Sequence, residues 1–498
     1  MTTNLRRLSV ETGYHAIPKA PLATHGARLN DEEIEQIDAE TPHLEESLSS
    51  LPLPASVGWI YFILGAAFLL PWNAMITAMP YFLSRLANSP FDAAFGSYLS
   101  CSMNLATFSL MAHATITSNP AKSSPRIIKA TLIITFLVFL LAVSTFFQTS
   151  PGLFFAFVII NALVQAGAGA YLQTAVFALA SLFGSTAIQS TLAGQAAVGV
   201  VVSLVQVISA GGSLGTERSP TDEVDAFGLT RAERAAEDKS AFAFFSISTV
   251  FLLGSLIAHL RLTRTHQYQT IIIESRDKFL VEDVEERQGL FGGETQVREE
   301  LGPERSTFLQ MLWMNRVYNL SVAYVFVATL AVFPAITASI TSVNSGSSSK
   351  WSHPLLFSSV HFLVFNIGDF VGRYGPSVPA LNFTTPRTLA TFSLARTLFI
   401  PLFLMCNIAP PRIPFFNSDF MFYFILLMFG VTNGYVSSLA VVSASSLHHN
   451  KNLHGRKQDV DMAATVASFC IIAGLVVGSF ASFGVRAAVC GGCNPFIS

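Results

Sequence analysis

Eleven apolar stretches, each of about the twenty residues that cross a bilayer as a helix, partition this chain. They fall near 57–79, 94–117, 127–148, 152–180, 187–210, 241–262, 312–340, 355–374, 386–406, 419–443 and 462–486. In hydrocarbon every backbone N–H and C=O must find its partner inside the protein, so blocks of this length are read as helices. Composition agrees. Hydrophobic residues make up 51% and charged residues only 12%, about half the charged share of a soluble chain. The expected fold class is all-α, a polytopic membrane protein with 11 transmembrane helices. The tightest connection lies within 152–210, at Gly184-Ser185.

Orientation follows from Lys and Arg in the short loops. With the N-terminus inside, the cytoplasmic side collects Arg6, Arg7, Lys19, Arg28, Lys122, Arg126, Lys129, the basic residues between Arg261 and Arg305, and Lys451, Arg456 and Lys457. The other side holds Arg85, Lys350, Arg412 and Arg486, one per short segment. The 212–239 loop there is richer in acidic than in basic residues. The expected division is a disordered cytoplasmic tail (1–56), six helices (57–263), a cytoplasmic loop (264–306), five helices (307–486) and a short extracytoplasmic tail (487–498). The polar tail and the membrane-length first block argue against a cleavable signal peptide. A net charge of −2 predicts no nucleic-acid partner.

Cys101, Cys406 and Cys470 lie in apolar stretches and read as small hydrophobes, and Cys490 with Cys493 as a disulfide or two free thiols. His448, His449 and His454 sit in a basic loop and read as solvated. No cofactor or metal is expected. Arg6-Arg7-Leu8-Ser9 offers a basic-directed kinase match in the tail, and Ile271 to Ile273 hint at a short surface helix.

Polar groups at membrane depth are where function should lie, because a charge near a helix centre costs ~2.5–3.5 kcal/mol on insertion scales. The eighth stretch reads His361-Phe-Leu-Val-Phe-Asn366-Ile-Gly-Asp369-Phe-Val-Gly-Arg373. At 100° per residue, Asn366, Asp369 and Arg373 share a face within about 60°. Asp369 and Arg373, one turn apart, can pair, either as a structural ion pair or as a site for solute hydroxyls. The fourth stretch carries Asn161, Gln165, Gly169 and Gln173, and the fifth Thr191, Gln195, Gly199 and Ser203, each set at four-residue spacing. Such seams pack helices closely. A Gln amide also donates and accepts, as a nucleobase edge requires; packing and binding stand level for Gln173, and packing leads for Gln195. The first stretch holds Leu69-Leu70-Pro71-Trp72-Asn73, with Trp72 either an interfacial anchor or a stacking face. Arg396 and His361 are further polar groups at depth without an obvious partner.

These residues carry a family resemblance. Pro71-Trp72-Asn73 with Thr77 and Tyr81-Phe82, Gly169-Ala-Tyr-Leu172-Gln173, Phe333-Pro334-Ala335 within 321–337, Phe365-Asn366 with Asp369 and Gly372-Arg373, and Asn433-Gly434-Tyr435 with Ser438-Leu439 together resemble the equilibrative nucleoside transporters (solute carrier family 29). The resemblance covers 57–486. It implies a major-facilitator-like 6+5 two-bundle arrangement that moves nucleosides such as adenosine and uridine, in some members nucleobases, by alternating access. It also implies a transporter rather than an enzyme. On that resemblance Gln173 would meet the nucleobase and Asp369 with Arg373 the ribose. Leu69, Trp72 and Asn73 would line the pocket, Asn366 and Asn433 would support it, and Phe333 with Pro334 would shape the seventh helix. Two departures stand out: Ala74-Met75 replaces the aromatics of many relatives, and the first outside loop is short.

Competing readings are a major-facilitator carrier of another polar solute, which Asp369-Phe-Val-Gly372-Arg373 also suits, and an intramembrane aspartyl protease. The protease needs a second buried Asp, and Asp92, Asp419 and Asp461 sit at stretch boundaries. The acidic tail fits either the cell surface or a vacuolar/endosomal membrane.

Overall fold

A computed structural model of the protein describes residues 54–87, 89–91, 95–213, 231–273, 306–333, 336–344, 350–408 and 415–489. The N-terminal tail with Ser9, most of the central loop, Pro334 and the Cys490–Cys493 pair lie outside the described residues.

The helices follow the apolar stretches: α1 Ala55–Thr77, α2 Phe95–Ile116, α3 Ser123–Ser144, α4 Pro151–Leu182, α5 Ser185–Ser213, α6 Arg231–Leu262, α7 Arg316–Val332, α8 Pro354–Gly372, α9 Pro386–Ala395, α10 Asp419–Ala444 and α11 Val460–Val489. Among the described residues, nine helical spans are long and apolar enough to cross a membrane on those grounds alone. Of the remaining two helices, α2 carries more polar residues and α7 has only 17 residues. The set is consistent with eleven crossings. Between α4 and α5 the chain turns within two residues because Gly184 adopts φ +94°, a conformation open to glycine at no steric cost.

Two stretches end differently from expectation. The seventh was expected to run to 340, but α7 stops at Val332 and Phe333 is extended (φ −108°, ψ 122°). A residue preceding proline is driven out of the α region by the proline ring, and Pro334 follows in the sequence. The ninth stretch is not one continuous α-helix. It tightens to a 3-10 turn at Arg396–Leu398 and resumes as a short helix, Phe399–Leu404.

Helix α1 packs on α5 and α6, α3 on α4 and α6, and α2 on α4. In the last five, α7 packs on α11 and α8 on α10. The two groups meet where α8 lies along α5 and where α11 lies along α4 and α2. The α8–α10 contact is close enough to require glycine. At Gly434 a side-chain carbon would overlap the Asp369 carbonyl, and at Gly372 one would overlap the Val431 carbonyl. Glycine at these points lets the two backbones touch, which places α10 side chains directly beside Asp369.

Candidate functional site

The Asp369–Arg373 pair forms as its spacing predicts. Arg373 Nε donates to Asp369 Oδ2 at 3.0 Å, and both residues are 6% exposed. The other carboxylate oxygen, Oδ1, accepts from Asn433 Nδ2 at 2.6 Å, across from α10. Both oxygens are thus acceptors in a buried setting. The two terminal amino groups of Arg373 make no hydrogen bond among the described residues. They are the donors that the pair can offer a solute.

Arg396, without an obvious partner in the sequence, proves to be part of this cluster. It is 2% exposed. Its Nη1 donates to Phe429 O (3.0 Å) and Thr432 Oγ1 (2.5 Å), and its Nη2 to Thr329 Oγ1 (2.9 Å) and Asn433 Oδ1 (3.3 Å). Its guanidinium carbon lies 4.4 Å from the centre of the Phe429 ring, within cation–π range. Thr329 from α7 bonds the same Asn433 oxygen at 2.7 Å. One polar network therefore joins α7, α8, α10 and the 3-10 turn after α9. His361 is also partnered, by Thr337 Oγ1 and the Ser358 carbonyl, each at 2.9 Å. With the Ser358 carbonyl accepting from Nδ1–H, Nε2 accepts from the threonine hydroxyl. Phe333 stacks on Phe365 with ring centres 4.2 Å apart and packs against the His361 ring at 5.0 Å.

Other expected site residues fall elsewhere. Asn366 does not join the pair on its own helix. It reaches α5, where Nδ2 donates to Ser203 Oγ at 3.1 Å and its amide fills the notch above Gly199. Spacing along one helix places it on the shared face, and the neighbouring helix claims it. Gln173 donates to Ser468 Oγ of α11 at 2.9 Å, while its Oε1 accepts no hydrogen bond among the described residues. The rest of its seam is packing: Asn161 donates to the Leu137 carbonyl of α3 (3.0 Å), and Gln165 donates to Asn161 Oδ1. Gln195 is buried with its Nε2 unbonded. In α1, Leu69, Trp72 and Asn73 are half-buried, and Asn73 Nδ2 turns back to the Leu69 carbonyl at 3.0 Å. No hydrogen bond ties these three to the Asp369 network. Among the described residues no group of three or more His, Cys, Asp or Glu could hold a metal ion. Burial and the neighbouring His448 hold the His449 imidazole pKa below its ordinary value.

Two residues that the spacing missed lie between the first six and last five helices. Ser468 is one, as the partner of Gln173. The other is Gln189 at the start of α5, whose Nε2 donates to the Arg373 carbonyl (3.0 Å) and to Ser377 Oγ (2.7 Å). Phe108 of α2 stacks on Phe469 of α11 at 5.5 Å. These links lie in the half of the helices nearest the 182–185, 373–385 and 445–459 connections. At the other end the named bonds stay within each group: Arg85 to the Phe147 carbonyl, and Asp419 to Ser342 and Val343.

The family model described as nucleoside transporter matches residues 156–487. Human equilibrative nucleoside transporter 2 is 28% identical over 479 residues, spanning 86% of this chain and 96% of the relative. Human equilibrative nucleoside transporter 1 is 26% identical over 485 residues, spanning 87% and 97%. In fold, the crystal structure of the E. coli fucose:proton symporter superposes with a TM-score of 0.52 at 14% identity, covering 88% of this chain and 93% of that one. The chain shares the fold of that symporter, and it belongs to the nucleoside transporter family.

Proposed function

We propose that this protein carries nucleosides, adenosine and uridine among them, down their gradient by alternating access, rocking its first six helices against its last five. The observation that carries the reading is the buried Asp369–Arg373 pair with the terminal amino groups of Arg373 unbonded. A buried ion pair adds little stability over apolar packing, whereas a fixed carboxylate and guanidinium suit the vicinal hydroxyls of a ribose. Gln173, with its amide oxygen unbonded, meets the base. Its Nε2 gives one N–H to Ser468 and keeps the second, so the amide can both accept from and donate to a base edge. Leu69, Trp72 and Asn73 line the route from α1, Asn366 and Asn433 hold the site from α8 and α10, and Phe333 shapes the end of α7.

With the basic loops inside, the links at Gln189, Gln173 and Phe108 join the two groups of helices on the cytoplasmic side. Both Asp369 oxygens are engaged by donors within the protein, Arg373 and Asn433. This supports facilitated diffusion over proton coupling. Either the cell surface or a vacuolar/endosomal membrane accommodates such a carrier. Counterflow tests the mechanism: vesicles preloaded with unlabelled uridine should transiently accumulate labelled uridine at equal pH on both sides. Accumulation only under a proton gradient would replace the reading with a proton-driven carrier.

A further inference from the structure

We infer that Arg396 is a positioning residue for the solute site: by binding the Asn433 amide oxygen, it turns the Asn433 N–H onto Asp369. The inference rests on the reading of Asp369 and Arg373 as the solute site. An asparagine amide can sit either way round, and the two ends present opposite hydrogen-bonding character. A guanidinium has only donors, so the Asn433 atom 3.3 Å from Arg396 Nη2 is the oxygen. Thr329 bonds the same atom. The Nδ2 end is then left facing Asp369 Oδ1 at 2.6 Å. Reversed, the amide would set its oxygen against a carboxylate, two acceptors in contact.

The bonding of Arg396 itself supports this role. Four hydrogen bonds leave its Nη atoms, while its Nε is buried with no partner. Burying a guanidinium with one N–H unbonded is costly. A group that served only to fill the space between α7 and α10 would do so better as an apolar side chain. Two of its four bonds, both from Nη2, go to Thr329 and Asn433, and the other two anchor Nη1 to the Phe429 carbonyl and Thr432 of α10. Asp369 then has Oδ1 held by Asn433 and Oδ2 by Arg373, and the guanidinium of Arg373 is fixed with its remaining donors free.

The test is uridine uptake into proteoliposomes, with KM and Vmax per reconstituted protein, for Arg396→Gln, Arg396→Lys, Thr329→Val, Asn433→Ala, the Arg396→Gln/Asn433→Ala double variant and Asp369→Ala as reference. Arg396→Gln should raise KM about tenfold, the loss of one hydrogen bond to a charged group, and Arg396→Lys should recover part of it. Thr329→Val should raise KM in the same direction. The double variant should be no worse than Asn433→Ala, because Arg396 acts through Asn433. If Arg396→Gln cannot be recovered folded, the KM of Thr329→Val and Arg396→Lys decides. Unchanged KM in these variants while Asp369→Ala is inactive, or effects of Arg396 and Asn433 that multiply, would overturn the inference alone. A wild-type KM in Asp369→Ala would overturn the site itself, and this inference with it.

Discussion

Asn433 of α10 donates its amide N–H to Asp369 of α8 at 2.6 Å, and that contact exists because glycine at 434 lets the two backbones touch. A side-chain carbon at Gly434 would press on a backbone carbonyl, which cannot rotate away. Gly434→Ala should therefore push α8 from α10 at a cost of about 1–3 kcal/mol or more. A lower melting temperature of purified protein, together with weaker uridine uptake, is the expected result.

The seam of α4 separates packing from binding. Asn161 ties α4 to the Leu137 carbonyl of α3, whereas Gln173 reaches α11. Asn161→Ala should lower thermal stability by about 1–3 kcal/mol, because it removes the bond to α3 and leaves the buried Gln165 amide without its acceptor, and should leave KM near wild type. Gln173→Ala should do the reverse. Melting curves read beside uptake kinetics separate the two.

At the end of the helices nearest the 182–185 connection, Gln189 Nε2 donates to the Arg373 carbonyl and to Ser377 Oγ, and we propose that these bonds hold that end closed. Gln189→Ala removes both bonds and should shift the protein toward opening at that end. Cys470, buried on α11 two residues beyond Ser468, reports it. With the other four cysteines replaced by serine, its labelling by an impermeant maleimide from the cytoplasmic face should quicken about fivefold or more, about 1 kcal/mol of bias.

Asp369 has both oxygens held by donors within the protein, and the proposed mechanism is facilitated diffusion. Initial uridine uptake should thus be equal at pH 5.5 and 7.5 without a gradient. A rise at pH 5.5 that is lost in Asp369→Asn would point to proton coupling through this carboxylate.

How much of this was legible in the sequence differs residue by residue. The helices were, because apolar blocks of membrane length have few alternatives. Asp369 and Arg373 were, because they lie one turn apart in an otherwise apolar run and so must pair locally. Asn366 shares their face by angle, but α5 lies alongside and Gly199 opens a notch that takes its amide; only the neighbour decides that. Arg396 could be seen as costly but not explained, since its acceptors come from α7 and α10. Ser468 and Gln189 carry no signal at all. A serine or glutamine in a small-residue helix looks the same whether it packs or bridges.

The most direct measurement is uptake of labelled adenosine and uridine into proteoliposomes holding the purified protein, beside Asp369→Asn at matched reconstitution. Asparagine keeps the shape of Asp369 and removes the charge that fixes Arg373. The account predicts saturable uptake of both nucleosides in the wild type and a loss of at least about tenfold in KM or rate in the variant, the size of a lost charge-assisted hydrogen bond. Folded, reconstituted protein that admits neither nucleoside, or a variant that transports as well as the wild type, would contradict it.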